Sequence, residues 1–119
     1  MYVKKADEIK KEKVEIAEKT EIQWLIGEDV GKEFYMRRFT MKPGGGMSKH
    51  YHNNQVHEQY ILKGRLKLGM GDEVTEVKAG DVVYIPEGIP HWYKNEGDEN
   101  AVFLCLIPKR EEYHTKFVE

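Results

Sequence analysis

Cysteine is nearly missing from this chain, with a single residue, Cys105, among 119. One thiol excludes an intrachain disulfide framework and suits a reducing compartment, so a cytoplasmic protein is expected. An excess of either charge is also missing. Nineteen Lys and Arg face twenty-one Asp and Glu for a formal charge of −2, with the signs interspersed. No basic footprint for nucleic acid or anionic lipid follows from that balance. No apolar run approaches the roughly 18 to 20 residues of a membrane span. The first residues, Met1 to Lys13, are charged rather than a basic patch followed by an apolar stretch, so neither a leader nor a membrane partner is expected. Internal repeats, low-complexity tracts and linkers are absent as well, which leaves one domain over residues 1–119.

What is present suffices for a core. Hydrophobic residues make up 39% of the chain and include two Trp, seven Tyr and four Phe. A mean hydropathy of −0.71 is polar, yet this aromatic content argues against disorder. Lys and Glu dominate the charged set, a bias that accompanies heat-adapted proteins. Over Ala6 to Lys19 the apolar positions hold no 3.6 period, and the segment reads as irregular, with room for a short helix or an edge strand.

From Thr20 onward, short β-branched and aromatic stretches alternate with Gly, Pro, Asn and Asp. They predict strands at Glu21–Ile26, Glu33–Lys42, Ser48–His52, Val56–Leu62, Arg65–Met70, Glu73–Lys78, Asp81–Ile85, His91–Asn95 and Val102–Ile107. A turn is expected at Pro43–Gly46, another at Asn53–Asn54 and a third at Pro86–Pro90. The charged tail, Lys109–Glu119, either frays or packs on the rest. Regularly spaced short strands point to a sandwich or barrel.

Four of the five histidines sit among this punctuation. His50 and His52, one residue apart on a strand, leave the same face with Cα atoms about 6.5 Å apart. His57 opens the next strand after a short turn, where a hairpin returns it beside the pair. His91 follows Pro86-Glu87-Gly88-Ile89-Pro90, whose prolines and glycine fix the entry of another strand. His114, in the charged tail, reads as a surface residue.

Gly44-x5-His50-x-His52-x4-His57-x6-Gly64 resembles the first characteristic motif of the cupin superfamily, G-x5-H-x-H-x3,4-E-x6-G. Gly80-x5-Pro86-x-Gly88-x2-His91-x3-Asn95 matches the second, G-x5-P-x-G-x2-H-x3-N, at every position. The resemblance implies an all-β double-stranded β-helix, the jelly-roll barrel of a small single-domain cupin, with a metal ion inside. One departure stands out: His57 occupies the usual glutamate position, and Glu58 is one residue late and on the opposite strand face. The implied ligands are therefore His50, His52, His57 and His91, as in small cupins with all-histidine sites. The flanking stretches Trp24–Gly27, Met36–Thr40 and Phe103–Lys109 resemble those of a manganese-binding cupin from a hyperthermophile.

A divalent transition metal is thus expected, with Mn implied by resemblance and Fe, Ni, Cu or Zn equally compatible with imidazole ligands. Four neutral ligands leave the charge of the ion uncompensated, which favours anionic or enolate-like substrates. Tyr35, Arg37 and Phe39 share one strand face, Gln59 and Ile61 share the face of His57, and Phe103 and Cys105 share a third. If inward, these residues line the pocket, with Arg37 either an anion clamp or a solvated charge, and Cys105 either a pocket thiol or an inert core residue. The functional readings are a metal-dependent enzyme on a small molecule, foremost a dioxygenase or other oxidoreductase, a non-catalytic metal- or ligand-binding cupin, and a barrel that the ion merely stabilises. Small cupins commonly dimerise by exchanging an N-terminal strand, for which Met1-Tyr2-Val3 is the candidate, so a homodimer is expected.

Overall fold

The computed structural model describes residues 1–118. After a 3-10 turn at Ala6–Glu8 the chain forms β1 (Glu12–Lys13), β2 (Ala17–Ile26), β3 (Phe34–His52), β4 (His57–Lys63) and β5 (Arg65–Met70). It continues through β6 (Glu73–Lys78), β7 (Val82–Ile85), β8 (His91–Lys94), β9 (Ala101–Pro108) and β10 (Thr115–Phe117). Every pairing is antiparallel.

Strand β3 organises the barrel. Its first half lies between β2 and β9, and β9 leads on through β4 to β7. Its second half pairs with β8, which leads through β5 to β6, and with β10. One strand thus passes from one sheet to the other, and the two sheets close as an all-β jelly roll. Alternation sets what fills it: Ala101, Phe103, Cys105 and Ile107 of β9 point inward, as do His57, Gln59 and Ile61 of β4. Met41, Ile61, Leu66, Leu68, Ile85 and Phe103 are almost wholly buried and form the packed end of the interior. Truncating a side chain such as Phe103 to alanine there costs about 3–5 kcal/mol.

The turn expected at Pro43–Gly46 does not interrupt the strand. Gly44 takes φ +82°, a left-handed conformation open to glycine, so the chain bends without leaving the sheet. The bend is clasped by Gly44 N–H donating to Asn95 O and Asn95 N–H donating to Gly45 O. Asn95, fully buried, adds Nδ2 bonds to Met41 O and Glu99 O at 2.9 Å and accepts from the Gly97 N–H, so this motif residue works as a staple. Gly69 serves a different need: a Cβ there would stand 1.9 Å from the Trp92 indole nitrogen, so Trp92 lies directly on the backbone beside His91.

The segment read as irregular holds the 3-10 turn and the edge strand β1, and β2 begins at Ala17, earlier than expected. The tail packs: β10 aligns Thr115 with His52 and Phe117 with His50. Met1 and Val3 are exposed and lie outside any strand, while the Tyr2 hydroxyl donates to Leu25 O at 2.8 Å. Among the described residues no helix is long and apolar enough to cross a membrane.

Candidate metal centre

Three strands bring the histidines together. His50 and His52 come from the end of β3, His57 opens β4 and His91 opens β8 opposite His50. None exposes more than 9% of its surface. The coordinating nitrogens of His50, His52 and His91 all lie within 4.8 Å of one another. His57 stands beside them, its ring centroid 4.7 Å from that of His52 and 5.7 Å from that of His91.

The other ring nitrogens are held. His50 Nδ1 lies 2.7 Å from Ser48 O and His91 Nδ1 lies 2.9 Å from Ile89 O. A carbonyl only accepts, so each Nδ1 carries the proton and each Nε2 keeps its lone pair. His52 Nδ1 meets the Thr115 hydroxyl at 2.9 Å, which brings the tail into the centre. This pattern, in which an outer partner fixes the ring that ligates, is what a metal site requires. His57 differs. Its Nε2 lies 3.1 Å from Gln55 Nε2, and its buried Nδ1 has no partner.

Protonation is suppressed throughout. Burial lowers the His50 pKa against the opposing Ser48 bond, takes His91 down to about 4, and together with the charges of His50, His91 and Arg37 takes His52 down to about 3. Burial, with Arg37 and the neighbouring rings, also lowers His57. At neutral pH all four are uncharged imidazoles, the form that binds divalent metals. Orientation, clustering and protonation state all fit a transition metal ion.

These rings form the floor of a cavity of about 280 Å³. A model of the cupin domain matches residues 37–107, well over half of the chain. The chain belongs to the cupin family. Its curated relatives include the xanthan biosynthesis protein XanB of Xanthomonas campestris, 33% identical over 69 residues, which are 58% of this chain but 15% of XanB. An uncharacterised protein of Methanocaldococcus jannaschii is 39% identical over 74 residues, 61% of this chain and 58% of that one. This cupin therefore spans only a small part of several relatives. Among solved structures, the polyketide cyclase RemF of Streptomyces resistomycificus superposes with a TM-score of 0.88 at 28% identity, covering 100% of this chain and 87% of RemF. A predicted oxalate decarboxylase from Thermotoga maritima gives 0.82 at 24% identity, covering 92% of this cupin and 100% of its own chain.

Of the residues expected around the ion, Arg37, Phe39, Gln59, Phe103 and Cys105 line the cavity of this cupin. Tyr35 and Ile61 share the inward faces but lie outside the lining: Tyr35 meets the edge of Trp24 with centroids 6.0 Å apart, and Ile61 sits in the packed core. Sequence reasoning missed Gln55, buried two residues before His57, and it also missed the lining residues Trp24 and Met47. Spacing by two from a ligand candidate would have found Gln55. Tyr93, two residues after His91, also lines the cavity. Its hydroxyl accepts from Gln59 Nε2 at 2.7 Å, and burial raises its pKa, so it stays protonated. His114 is half-exposed and near Glu112, away from the cavity.

Proposed function

We propose that this cupin is a metal-dependent enzyme acting on a small organic molecule, with dioxygenase or related oxidoreductase chemistry the reading the site supports best. The observation that carries it is the convergence of three uncharged imidazoles, each with its other nitrogen engaged, on the floor of a small, largely apolar cavity. His50, His52 and His91 are the proposed ligands. His57 is the proposed fourth, although its Nε2 contacts Gln55 Nε2, and the unpartnered Gln55 Oε1 is a further oxygen that could ligate an ion. When bound, a transition metal ion would supply Lewis acidity and, if redox-active, electron transfer between an organic substrate and dioxygen. Manganese, iron, nickel, copper and zinc all remain candidates.

The protein does the remaining work. Trp24, Phe39 and Phe103 keep the cavity apolar and water-poor, which strengthens every charge interaction within it. Tyr93 keeps its proton and Arg37 supplies fixed positive charge. Among the described residues no carboxylate lies on the floor to act as a general base, and Glu12 at β1 is the single acidic side chain of the lining. That absence weighs against proton-shuttling isomerase chemistry.

Metal analysis of protein purified without chelator, followed by oxygen uptake and substrate loss with diketones, catechols and styrene-like alkenes, tests the reading. Turnover abolished by His52→Ala supports it, whereas tight ligand binding without turnover by any metal form favours a binding module. We also propose a homodimer. The outer face of β4 and β7 leaves Tyr60, Leu62, Val82 and Tyr84 exposed, an apolar patch suited to a second copy, and light scattering of the purified protein decides it.

A further inference from the structure

Arg37, Cys105 and Gln59 stand in one row across three strands. Arg37 on β3 is the register partner of Cys105 on β9, which is in turn the partner of Gln59 on β4. All three line the cavity, and Cys105 Sγ links them, 3.1 Å from Arg37 Nη2 and 3.4 Å from Gln59 Nε2.

The row is incomplete as a set of hydrogen bonds. Arg37 Nε is buried with no acceptor, and among the described residues no carboxylate lies within 4.0 Å of its guanidinium. The side chain as a whole is partly buried, but its Nε is closed off from solvent, and each unsatisfied buried polar group calls for an explanation. The guanidinium is nevertheless fixed in place, its carbon 5.6 Å from the centroid of Trp24 and 5.0 Å from that of Phe39. Gln59 Oε1 is the second open valence: the side chain is 6% exposed, its nitrogen is committed to Tyr93, and its oxygen has no donor.

We infer that the cavity is built for a small, flat hydroxy acid, its carboxylate on the Nε edge of Arg37 and its hydroxyl donating to Gln59 Oε1. Arginine presents a planar fork that matches a carboxylate. The residual acceptor beside it asks for an O–H or N–H, and a hydroxyl on the same small skeleton supplies one. At about 280 Å³ the cavity lies just below the usual 300–1,000 Å³ range of ligand pockets, which suits a single ring or an enol of similar size. Phe39 and Phe103, stacked with centroids 5.2 Å apart, give it a flat wall. This deepens the metal-enzyme reading by naming its substrate class, although Arg37 and Cys105 lie outside both histidine motifs, Gln59 is not one of their fixed positions, and the row does not need an ion.

The test is calorimetric titration of metal-free and metal-loaded protein with 3-hydroxybenzoate, benzoate and 3-hydroxybenzamide. The acid should bind at least tenfold more tightly than its amide in both forms, and the hydroxyl should improve on benzoate. Arg37→Gln should erase the preference for the acid over the amide, with Arg37→Lys restoring part of it. Gln59→Leu should erase the benefit of the hydroxyl and leave the acid preference intact. Thermal unfolding of each variant separates these effects from misfolding, since Arg37 has no ion pair to lose among the described residues and its replacement should leave a cooperative transition. Equal affinity for acid and amide, or an unaltered preference in a folded Arg37→Gln, overturns the inference. Metal binding without any acid preference defeats this inference alone, and an Arg37-dependent acid preference in a protein that takes up no metal defeats the enzyme reading while sustaining this one.

Discussion

Asn95 and Gln23 lie as deep in the barrel as Gln55 and Gln59, and all four end in the same carboxamide, yet the two pairs are bonded in opposite ways. Gln23 donates to Ala6 O and Ile9 O at 2.9 and 2.8 Å and accepts from Arg38 Nε at 3.0 Å, which ties the N-terminal segment to β2. Asn95 is as completely used at the bend of β3. Gln55 and Gln59 each keep a buried oxygen with no donor. The arginines repeat the contrast on adjacent residues of β3: Arg38, facing out, binds Gln23 and Asp7, while Arg37, facing in, finds no anion among the described residues. The four unpartnered buried side-chain atoms among the described residues belong to Arg37, Gln55, His57 and Gln59, all of which line the cavity. Completed polar groups hold the fold together, and open ones mark where a ligand belongs.

Substitutions should separate the two sets. Asn95→Ala is expected to cost the most, about 2–4 kcal/mol, because two carbonyls and an N–H lose their partner inside the fold, as urea unfolding will read. Were that variant instead normally stable but poor in metal binding, Asn95 would move to the functional set. Acid should be the next largest perturbation. His52 and His91 are held below their unfolded pKa of 6.5, so the unfolded chain binds more protons as pH falls. Metal-free stability from these groups is therefore complete above about pH 6.5 and falls steadily toward pH 3 to 4, which a series of melting curves will show.

A third perturbation joins the tail to the centre. Thr115→Val removes the partner of His52 Nδ1 and should weaken metal binding roughly tenfold by competition with a chromophoric chelator, with Thr115→Ser restoring it. Gln23→Leu should cost about 1–2 kcal/mol and speed amide exchange across residues 6–9. Gln59→Leu should cost about 1 kcal/mol, because the buried Tyr93 hydroxyl loses its donor while the Gln59 oxygen has no partner to lose.

Legibility in the sequence followed the range of the interactions. The ligand candidates were readable because the turn residues and period-two spacing around them are local, and so were most strands. Three features escaped for physical reasons. Continuity through Pro43–Gly46 depends on the left-handed Gly44 and its clasp by Asn95, a contact across half the chain. Docking of β10 onto β3 rests on pairings more than sixty residues apart, between a short polar tail and the histidine strand. Gln55 and Gln23 looked like ordinary polar residues, and only burial distinguishes the one with an open valence from the one without.

Strand β3 carries one further consequence. Tyr35, Phe39, Met41 and Met47 are inward at odd positions, whereas His50 and His52 are inward at even ones. The change of phase occurs at the register shift after Met47, where Ser48 and Lys49 both face solvent. That one irregularity frees the Ser48 carbonyl to turn back on His50, and it makes the histidine pair a block joined to the cavity wall by an adjustable joint. Gaining or losing two residues at this joint would keep both histidines inward and slide the candidate ion site along the wall, whereas a single residue would turn the pair outward, so its distance from Arg37 is a dimension that the fold can reset only in steps of two.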